Sequence, residues 1–281
     1  INTASAENVN KLYEQALIAF QNGEGPTSII HLKNILAIEK DHMPSRVLLA
    51  QALLAQGNAV GAEVELNRAK QGHVDQNRLV TLFAQAYLLQ NKYNEVLEVT
   101  KAGERGDVIE SELLIYKGQA LIGQKLFRSA DTAFEQALYL TPKSQLALLG
   151  RAQMALQSLK PLIALNYIDK ALNQLRPFVN GWILKANILQ KLNRADEAML
   201  AAEKALNIDD SHMAARLTMA MLLIAKQEYV KAEKHVDFII DEIPNEPRAG
   251  YLKAIITASL PATSGEESSN KKLTAVITTL S

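Results

Sequence analysis

The sequence predicts an all-α fold, a right-handed α-solenoid (superhelix) built from helix-turn-helix repeats. Small residues recur at a period of 34 positions along the chain, and the large apolar residues between them follow the spacing of amphipathic helices. Hydrophobic residues make up 48% of the 281 positions, which is enough for a core. Only 13 glycines and 8 prolines interrupt the chain, and these are too few for an all-β or disordered protein.

The clearest copy of the repeat runs from Ser111 to Ser144. Gly118, Ala130 and Ala137 are small, so two helices can approach closely at these positions, where a larger side chain would push the backbones apart. Phe134 supplies apolar surface to fill the space between the helices. The stretch therefore predicts one pair of packed helices.

Shifts of 34 residues align this copy with the rest of the chain. The small residue of the first helix recurs as Ala16, Ala50, Ala84, Gly118, Ala152, Ala186, Ala220 and Ala254. The second helix shows the same period at Ala62, Val96, Ala130, Ala164, Ala198 and Ala232. The register holds without an insertion through seven steps, which favours true repeats over chance alignment of alanines in an Ala-rich helical protein.

A period of 34 with this small-residue pattern is typical of tetratricopeptide repeats. Over nearly its whole length the chain resembles the tetratricopeptide-repeat (TPR) family, with repeats that start near Val9, Met43, Asn77, Ser111, Gln145, Val179, Met213 and Pro247. The resemblance implies a lead-in over residues 1–8 and a solenoid over residues 9–260. Residues 261–281 are expected to form a loop and an irregular last helix, and the apolar end of this segment predicts that the native protein continues beyond Ser281. The third repeat is weak in its second half, where Glu104–Asp107 replace apolar residues, so a longer loop is expected there.

Composition and charge limit the function classes. The formal net charge is zero and no basic stripe is visible, whereas nucleic-acid binders usually show one. The absence of cysteine excludes disulfides and thiolate chemistry. The longest apolar run, Met219–Ala225, is too short to span a bilayer.

Candidate catalytic or metal-binding groups are sparse, and we predict no catalytic, cofactor-binding or metal-binding residues. None of the five histidines has a second ligand at metal-ligand spacing with a supporting motif; they are His31, His42, His73, His212 and His235. The carboxylate pairs Asp209–Asp210 and Asp241–Glu242 fall at helix ends, where solvated carboxylates are common. A role as acid/base groups is the alternative for these pairs.

The most informative pattern follows the small residue of each first helix. In five consecutive repeats the next residue is a carboxamide: Gln51, Gln85, Gln119, Gln153 and Asn187. Mostly aliphatic residues lie four positions before and three after these amides on the same helical face, namely Val47, Leu54, Leu88, Ile115, Ile122, Leu149, Leu156 and Ile183.

The TPR resemblance implies that first helices line a concave groove, so this row, the amide ladder, would face a partner. A carboxamide both donates and accepts hydrogen bonds, which suits the backbone of an extended peptide, and aliphatic edges add buried apolar area. The alternative is that the amides are polar surface residues that bridge neighbouring repeats. The family's clamp for acidic chaperone tails uses Lys, Asn and Arg on this face. The matching positions here carry Tyr13, Val47, Thr81 and Ile115, so the resemblance does not imply a carboxylate clamp.

Two runs support a narrower resemblance. IIHLKNIL at positions 29–36 and LLQNKYNEVL at positions 88–97 are similar to the amino-terminal repeats of the TPR lipoprotein of bacterial PEP-CTERM/exosortase systems. This resemblance implies a lipid-anchored, periplasm-facing scaffold for protein sorting or exopolysaccharide export in the cell envelope. The lipid-bearing cysteine would have to precede Ile1.

The sequence therefore predicts a non-catalytic scaffold that binds a protein or peptide segment, without nucleic acid or cofactor, and that meets a membrane only through an upstream lipid anchor. A cytoplasmic co-chaperone or assembly adaptor is the alternative. An enzyme would require a further domain beyond Ser281.

Overall fold

The computed structural model describes residues 3–101, 103–174 and 177–260, and these residues form helices joined by turns without any strand. The helices are α1 (Thr3–Gln21), α2 (Gly25–Ile38), α3 (Met43–Ala55), α4 (Ala59–Gln71), α5 (Gln76–Leu89), α6 (Tyr93–Val99), α7 (Asp107–Gly123), α8 (Phe127–Leu140), α9 (Gln145–Gln157), α10 (Pro161–Leu172), α11 (Val179–Lys191), α12 (Ala195–Ile208), α13 (Met213–Ala225), α14 (Tyr229–Glu242) and α15 (Pro247–Ser259). Consecutive helices pack as pairs, so the predicted all-α fold of helix-turn-helix pairs is confirmed. None of these helices combines the length and apolar character that a membrane span requires.

The chain divides into two compact units. Unit 1 extends to Gly150 and unit 2 begins at Arg151. Each unit has its own core of buried apolar side chains, one spanning α1 to α5 and the other spanning α11 to α15.

The first helices of the repeats start close to the positions that the 34-residue period gives. Helices α3, α9, α11, α13 and α15 begin at Met43, Gln145, Val179, Met213 and Pro247, while α5 and α7 begin one and four residues earlier than expected. Helix α1 begins at Thr3 instead of Val9, because Ala4, Ala6 and Glu7 are good helix formers and no breaker separates them from the repeat. The loop and last helix expected over residues 261–281 lie outside the described residues.

One backbone feature recurs at every turn inside a pair. A residue with positive φ follows each first helix at 34-residue spacing: Gly23, Gly57, Asn91, Lys125, Leu159, Asn193 and Gln227. The N–H of the next residue donates to the carbonyl five positions back, at 2.8–2.9 Å, as from Asn58 to Leu53 and from Lys160 to Ala155. This is the hydrogen bond of a helix ended by a left-handed residue, and it reverses the chain in the same way in each pair.

Side-chain caps mark several junctions between pairs. His42 and His212 each accept a hydrogen bond through Nδ1 from the backbone N–H three residues later. Ser144 and Glu246, at the same register, do so through side-chain oxygens. Such caps satisfy N–H groups that the first turn of a helix leaves unpaired.

Close helix contact in unit 1 depends on small residues around Phe134. A Cβ added to Gly118 would lie 2.7 Å from the Phe134 ring, and one added to Gly150 would lie 2.5 Å from it. Phe134 is 1% exposed, so the ring has little room to move. These glycines let α7 and α9 approach the ring of α8, as the small-residue pattern predicts for Gly118.

The third pair departs from the regular pattern. Its second helix, α6, has 7 residues, whereas the other second helices have 12 to 14. Gly103 and Gly106 follow its end, and glycine disfavours continuation of a helix. The longer loop expected in this repeat is therefore present.

The turn geometry makes a prediction about Leu159. Its φ is +57°, so its backbone is strained in the left-handed region. Its side chain is 89% exposed, so burial of that side chain does not offset the strain. We expect Leu159→Gly to raise the free energy of unfolding by roughly 0.5–1 kcal/mol, because glycine relieves the strain but adds freedom to the unfolded chain. Urea unfolding followed by circular dichroism measures this change.

Two control substitutions test whether the effect at Leu159 comes from its left-handed backbone. Leu162→Gly changes another exposed leucine, 69% exposed and inside α10, and it should lower stability by about 1 kcal/mol. Gly57→Leu should lower it by about 1–2 kcal/mol. If Leu159→Gly were as harmful as Leu162→Gly, the left-handed turn at Leu159 would be wrong.

Candidate functional site

In unit 1 the first helices of successive pairs pack side by side, α3 with α5 and α5 with α7. Gln51, Gln85 and Gln119 occupy equivalent positions on these three helices, each directly after a buried small residue. All three side chains are half-buried. The sequence-predicted amides of unit 1 therefore lie on neighbouring helices in the same register.

Unit 2 contains the other two amides of the ladder. Gln153 on α9 is exposed, and Asn187 on α11 is half-buried. At the same register α13 carries Met221, which is 41% exposed, and α15 carries Ile255. Tyr251, four residues before Ile255, is 52% exposed, so within unit 2 this register changes from amides to apolar and aromatic side chains.

The ladder amides form no hydrogen bond with other described residues. Amides elsewhere do connect neighbouring repeats. Gln90 Nε2 donates to Glu63 Oε2 at 2.7 Å and to the Ala59 carbonyl at 3.4 Å in the preceding pair, and to the Ala86 carbonyl of its own helix at 3.2 Å. Gln124 Nε2 donates to Asn94 Oδ1 at 2.9 Å. Bridging between repeats, the alternative role for the ladder, is thus performed in unit 1 by other amides.

The predicted aliphatic edges divide into two groups. Val47, Leu54 and Ile115 are only 9%, 5% and 5% exposed, so these three side chains offer little surface to a partner in this structure. Helix α3 packs against α1, α2, α4 and α5, and these contacts cover its flanks. Five edge residues remain half-exposed: Leu88, Ile122, Leu149, Leu156 and Ile183.

Sequence reasoning missed a polar pair on α7. Glu112 and Tyr116 lie seven and three residues before Gln119, a spacing that places all three on one helical face. The Tyr116 hydroxyl donates to Glu112 Oε1 at 3.4 Å. Burial raises the pKa of Glu112, while this hydrogen bond lowers it, and burial also raises the pKa of Tyr116. The Glu-x-x-x-Tyr spacing before Gln119 was the available signal.

Two of the histidines and one of the paired carboxylates have local structural roles. His42 and His212 cap helices, as described above, and Asp209 Oδ1 accepts from the Ser211 backbone N–H at 3.1 Å. Within the described ranges no group of three or more His, Asp or Glu side chains is placed to hold a metal ion. His42, His212 and Asp209 therefore stabilise turns and helix ends.

The contrast between ladder and bridging amides can be tested by stability. We expect Gln90→Ala to lower the free energy of unfolding by about 0.5–1.5 kcal/mol, since it removes the hydrogen bonds to Glu63 and Ala86. Gln85→Ala and Gln119→Ala should each change it by less than about 0.5 kcal/mol. Urea unfolding of the three variants compares the same substitution in neighbouring positions. A loss at Gln119 as large as that at Gln90 would place the ladder amides in the core packing.

The buried carboxyl of Glu112 predicts a pH dependence. Because its pKa is raised in the folded protein, the folded state binds this proton more tightly, and stability falls as the pH rises from the ordinary value of 4.5 through the raised value. We expect Glu112→Gln to be more stable than the wild type at pH 7, with a difference that shrinks below pH 4.5. Urea unfolding across this pH range measures it.

Glu110→Gln is the matched control, since the Glu110 carboxylate pairs with Arg105 Nη1 at 3.0 Å. Its loss should lower stability at pH 7. A Glu112→Gln variant that behaved like Glu110→Gln would show that the Glu112 carboxylate is stabilised in its charged form.

Comparison with known proteins agrees with this geometry. Residues 189–256 match the family model of the tetratricopeptide repeat. No curated protein matches the sequence. The chain superimposes on one chain of the crystal structure of the APC/C hetero-tetramer Cut9–Hcn1, with a TM-score of 0.66 at 14% identity. The match covers 90% of this chain and 46% of the other.

Two bacterial structures are also similar. A tetratricopeptide repeat protein from Parabacteroides merdae gives a TM-score of 0.64 at 15% identity, over 89% of this chain and 99% of that chain. Pseudomonas aeruginosa pilF gives 0.55 at 16% identity, over 75% of this chain and 96% of that chain. The chain therefore has the fold of a tetratricopeptide-repeat solenoid, and residues 189–256 carry the sequence pattern of that family.

Proposed function

We propose that the chain is a non-catalytic protein–protein interaction scaffold that binds an extended partner segment along its first helices. The observation that supports this proposal is the row of Gln51, Gln85 and Gln119 in unit 1. These amides occupy one register on packed neighbouring helices and have no hydrogen-bonding partner among the described residues. The tetratricopeptide-repeat fold favours the same class of function.

The spacing of the helices suits an extended chain. Packed helices lie about 8–10 Å apart, and an extended peptide advances about 3.3 Å per residue. One amide would therefore meet roughly every third residue of the partner. Each amide can pair with a backbone N–H or C=O, so recognition along the row would tolerate many partner sequences.

Side chains around the amides would add selectivity. Leu88 and Ile122 lie three residues after Gln85 and Gln119 and are half-exposed, so they can bury apolar side chains of the partner. The Glu112 carboxyl adds an acceptor on the same face of α7 as Gln119. A partner that places an N–H donor or a cation near Glu112 would be favoured.

The proposal also includes a cellular location for the scaffold. We place the scaffold in the bacterial cell envelope, anchored by a lipid upstream of residue 1, in protein sorting or exopolysaccharide export. The runs IIHLKNIL and LLQNKYNEVL support this setting through their similarity to the PEP-CTERM/exosortase lipoprotein. A cytoplasmic adaptor is the competing assignment.

Photo-crosslinking can identify the partner and its compartment. A benzophenone amino acid at Ile122, beside Gln119, should capture a protein on illumination in bacterial envelope extract. Capture only in cytoplasmic extract would favour the adaptor. A probe at the exposed Tyr139 of α8, 87% exposed, controls for contacts away from the row.

Affinity then tests the ladder itself. For the captured segment we expect Gln85→Ala with Gln119→Ala to weaken binding by about 1–3 kcal/mol, roughly 5- to 150-fold, because two hydrogen bonds are lost. Gln90→Ala should bind like the wild type. Isothermal titration with the three purified proteins measures these affinities. Equal binding by the double variant and the wild type would remove the amides from the partner surface.

A further inference from the structure

Two opposite charges lie beside the amide row of unit 1. Arg78 on α5 and Glu112 on α7 are 34 positions apart, and each lies seven residues before a ladder amide, Gln85 or Gln119. Seven residues make close to two helical turns, so each charge lies on the face of its amide and about 10 Å along the helix from it. Because α5 packs against α7, the two charges occupy equivalent positions on neighbouring helices.

The carboxyl group of Glu112 is half-buried and has no cationic partner among the described residues. Its one hydrogen bond comes from the Tyr116 hydroxyl at 3.4 Å, which is longer than a typical bond between these groups. By contrast Glu110, on the opposite side of the same helix, pairs with Arg105 at 3.0 Å. A carboxylate partly removed from water gains most from an added cation, so Glu112 is the group on this face that a cation of the partner would satisfy.

Arg78 gives the neighbouring position the opposite charge. It is exposed and forms no ion pair or hydrogen bond with the other described residues. It is also the third residue of α5, close to the helix N-terminus, where the helix dipole disfavours a cation. Helix stability therefore does not explain an arginine here. Toward a partner, its charge would repel a second cation, and such repulsion is a common source of binding specificity.

The distances fit an extended segment that lies along the amides. Packed helices are about 8–10 Å apart and an extended chain advances about 3.3 Å per residue, so positions opposite Glu112 and Arg78 are about three partner residues apart. Half-buried Leu82 and Tyr116 lie between the amides and the two charges. A lysine or arginine can lay its apolar stem over such side chains while its charge reaches beyond them.

We propose that the partner segment carries one lysine or arginine that pairs with Glu112, and that Arg78 excludes a second cation from the neighbouring position of the segment. This inference rests on the proposed function, because the charges share the face of the amide row. The amides alone would bind a backbone in many registers. The two charges select one of these registers by a single cationic side chain.

Selection from a library of random dodecapeptides displayed on phage tests the inference on the immobilised full chain. We expect peptides enriched by the wild type to contain lysine or arginine more often than the unselected library. Glu112→Gln should remove this excess. Arg78→Glu should instead enrich peptides with a second cation about three residues from the first, because an acceptor then replaces the repelling charge at the neighbouring helix.

Matched controls separate this face from the rest of the surface. Glu110→Gln, on the opposite side of α7, and Lys70→Gln, which changes an exposed lysine on α4, should select the same peptides as the wild type. Gln85→Ala with Gln119→Ala should lose them. Thermal melts followed by circular dichroism confirm that each variant is folded.

Affinities of one enriched peptide then assign the contact. Fluorescence anisotropy should show that replacing its basic residue by methionine weakens binding to the wild type at least about tenfold, the loss expected for a hydrogen-bonded charge. The same replacement should change the affinity of Glu112→Gln little, because the interaction has already been removed.

The outcomes distinguish this inference from the proposed function. If the enriched peptides depended on Gln85 and Gln119 but showed no excess of basic residues, or the same excess with Glu112→Gln, the inference would be overturned and the proposed function would stand. Unchanged selection by Arg78→Glu would overturn the role of Arg78. If no peptide were enriched, or if the double amide variant selected the wild-type peptides, the proposed function would fail together with the inference.

Discussion

The rest of the structure depends on the left-handed residue that ends each first helix. Seven such residues follow one another at 34-residue spacing from Gly23 to Gln227, and each is followed by the same backbone hydrogen bond of 2.8–2.9 Å. Because this bond fixes where and how the chain reverses, the second helix begins at a constant position relative to the first. Three of the seven, Lys125, Leu159 and Gln227, are neither glycine nor asparagine and so carry strain of about 1–2 kcal/mol each. The closing hydrogen bonds and the packing of the helix pair must offset that strain.

Because the chain reverses in the same way in each pair, the small residues occupy the same helix contact in each pair. When the second helix always returns at one place, the residue opposite it must always be small, as at Ala50, Ala84 and Gly118, which are buried. The next residue on the first helix is then turned away from that contact by about 100°. This geometry explains why the amides after these small residues are half-buried and lack partners, while Gln90, at the helix end, reaches the neighbouring pair.

The period of the sequence was sufficient to predict the fold. Spacing alone gave the starts of α3, α11 and α13, because the packing contact repeats with the small residues. The left-handed turns could not be predicted in the same way: Lys125, Leu159 and Gln227 have no preference for positive φ, and only the tertiary arrangement of the pair imposes it. Local sequence was therefore a weak guide to the turns even though the helices around them were clear.

The candidate site was predicted less completely, for a related physical reason. A helical face is defined by spacing, so Gln51, Gln85 and Gln119 could be assigned to one face. Coverage of the flanking positions depends on neighbouring helices, which the spacing does not describe, and Val47 and Ile115 are covered. Glu112 and Tyr116 were missed for the opposite reason, because a search by repeat register overlooks residues that occur in one repeat only.

Departures from the repeat also distinguish one part of the chain from another. A regular solenoid offers the same contacts at every step, and a row of amides discriminates little between partner sequences. The early end of α6 breaks this uniformity at one repeat, because α6 has 7 residues, yet Leu79 and Phe83 of α5 remain buried at 1% and 7% exposed. The glycine-containing loop that follows α6 also carries Arg105, which forms an ion pair with Glu110 of α7 at 3.0 Å. A single irregularity in one helix thus gives this repeat a loop and an ion pair of its own, and the surface of the solenoid differs there from its neighbouring repeats.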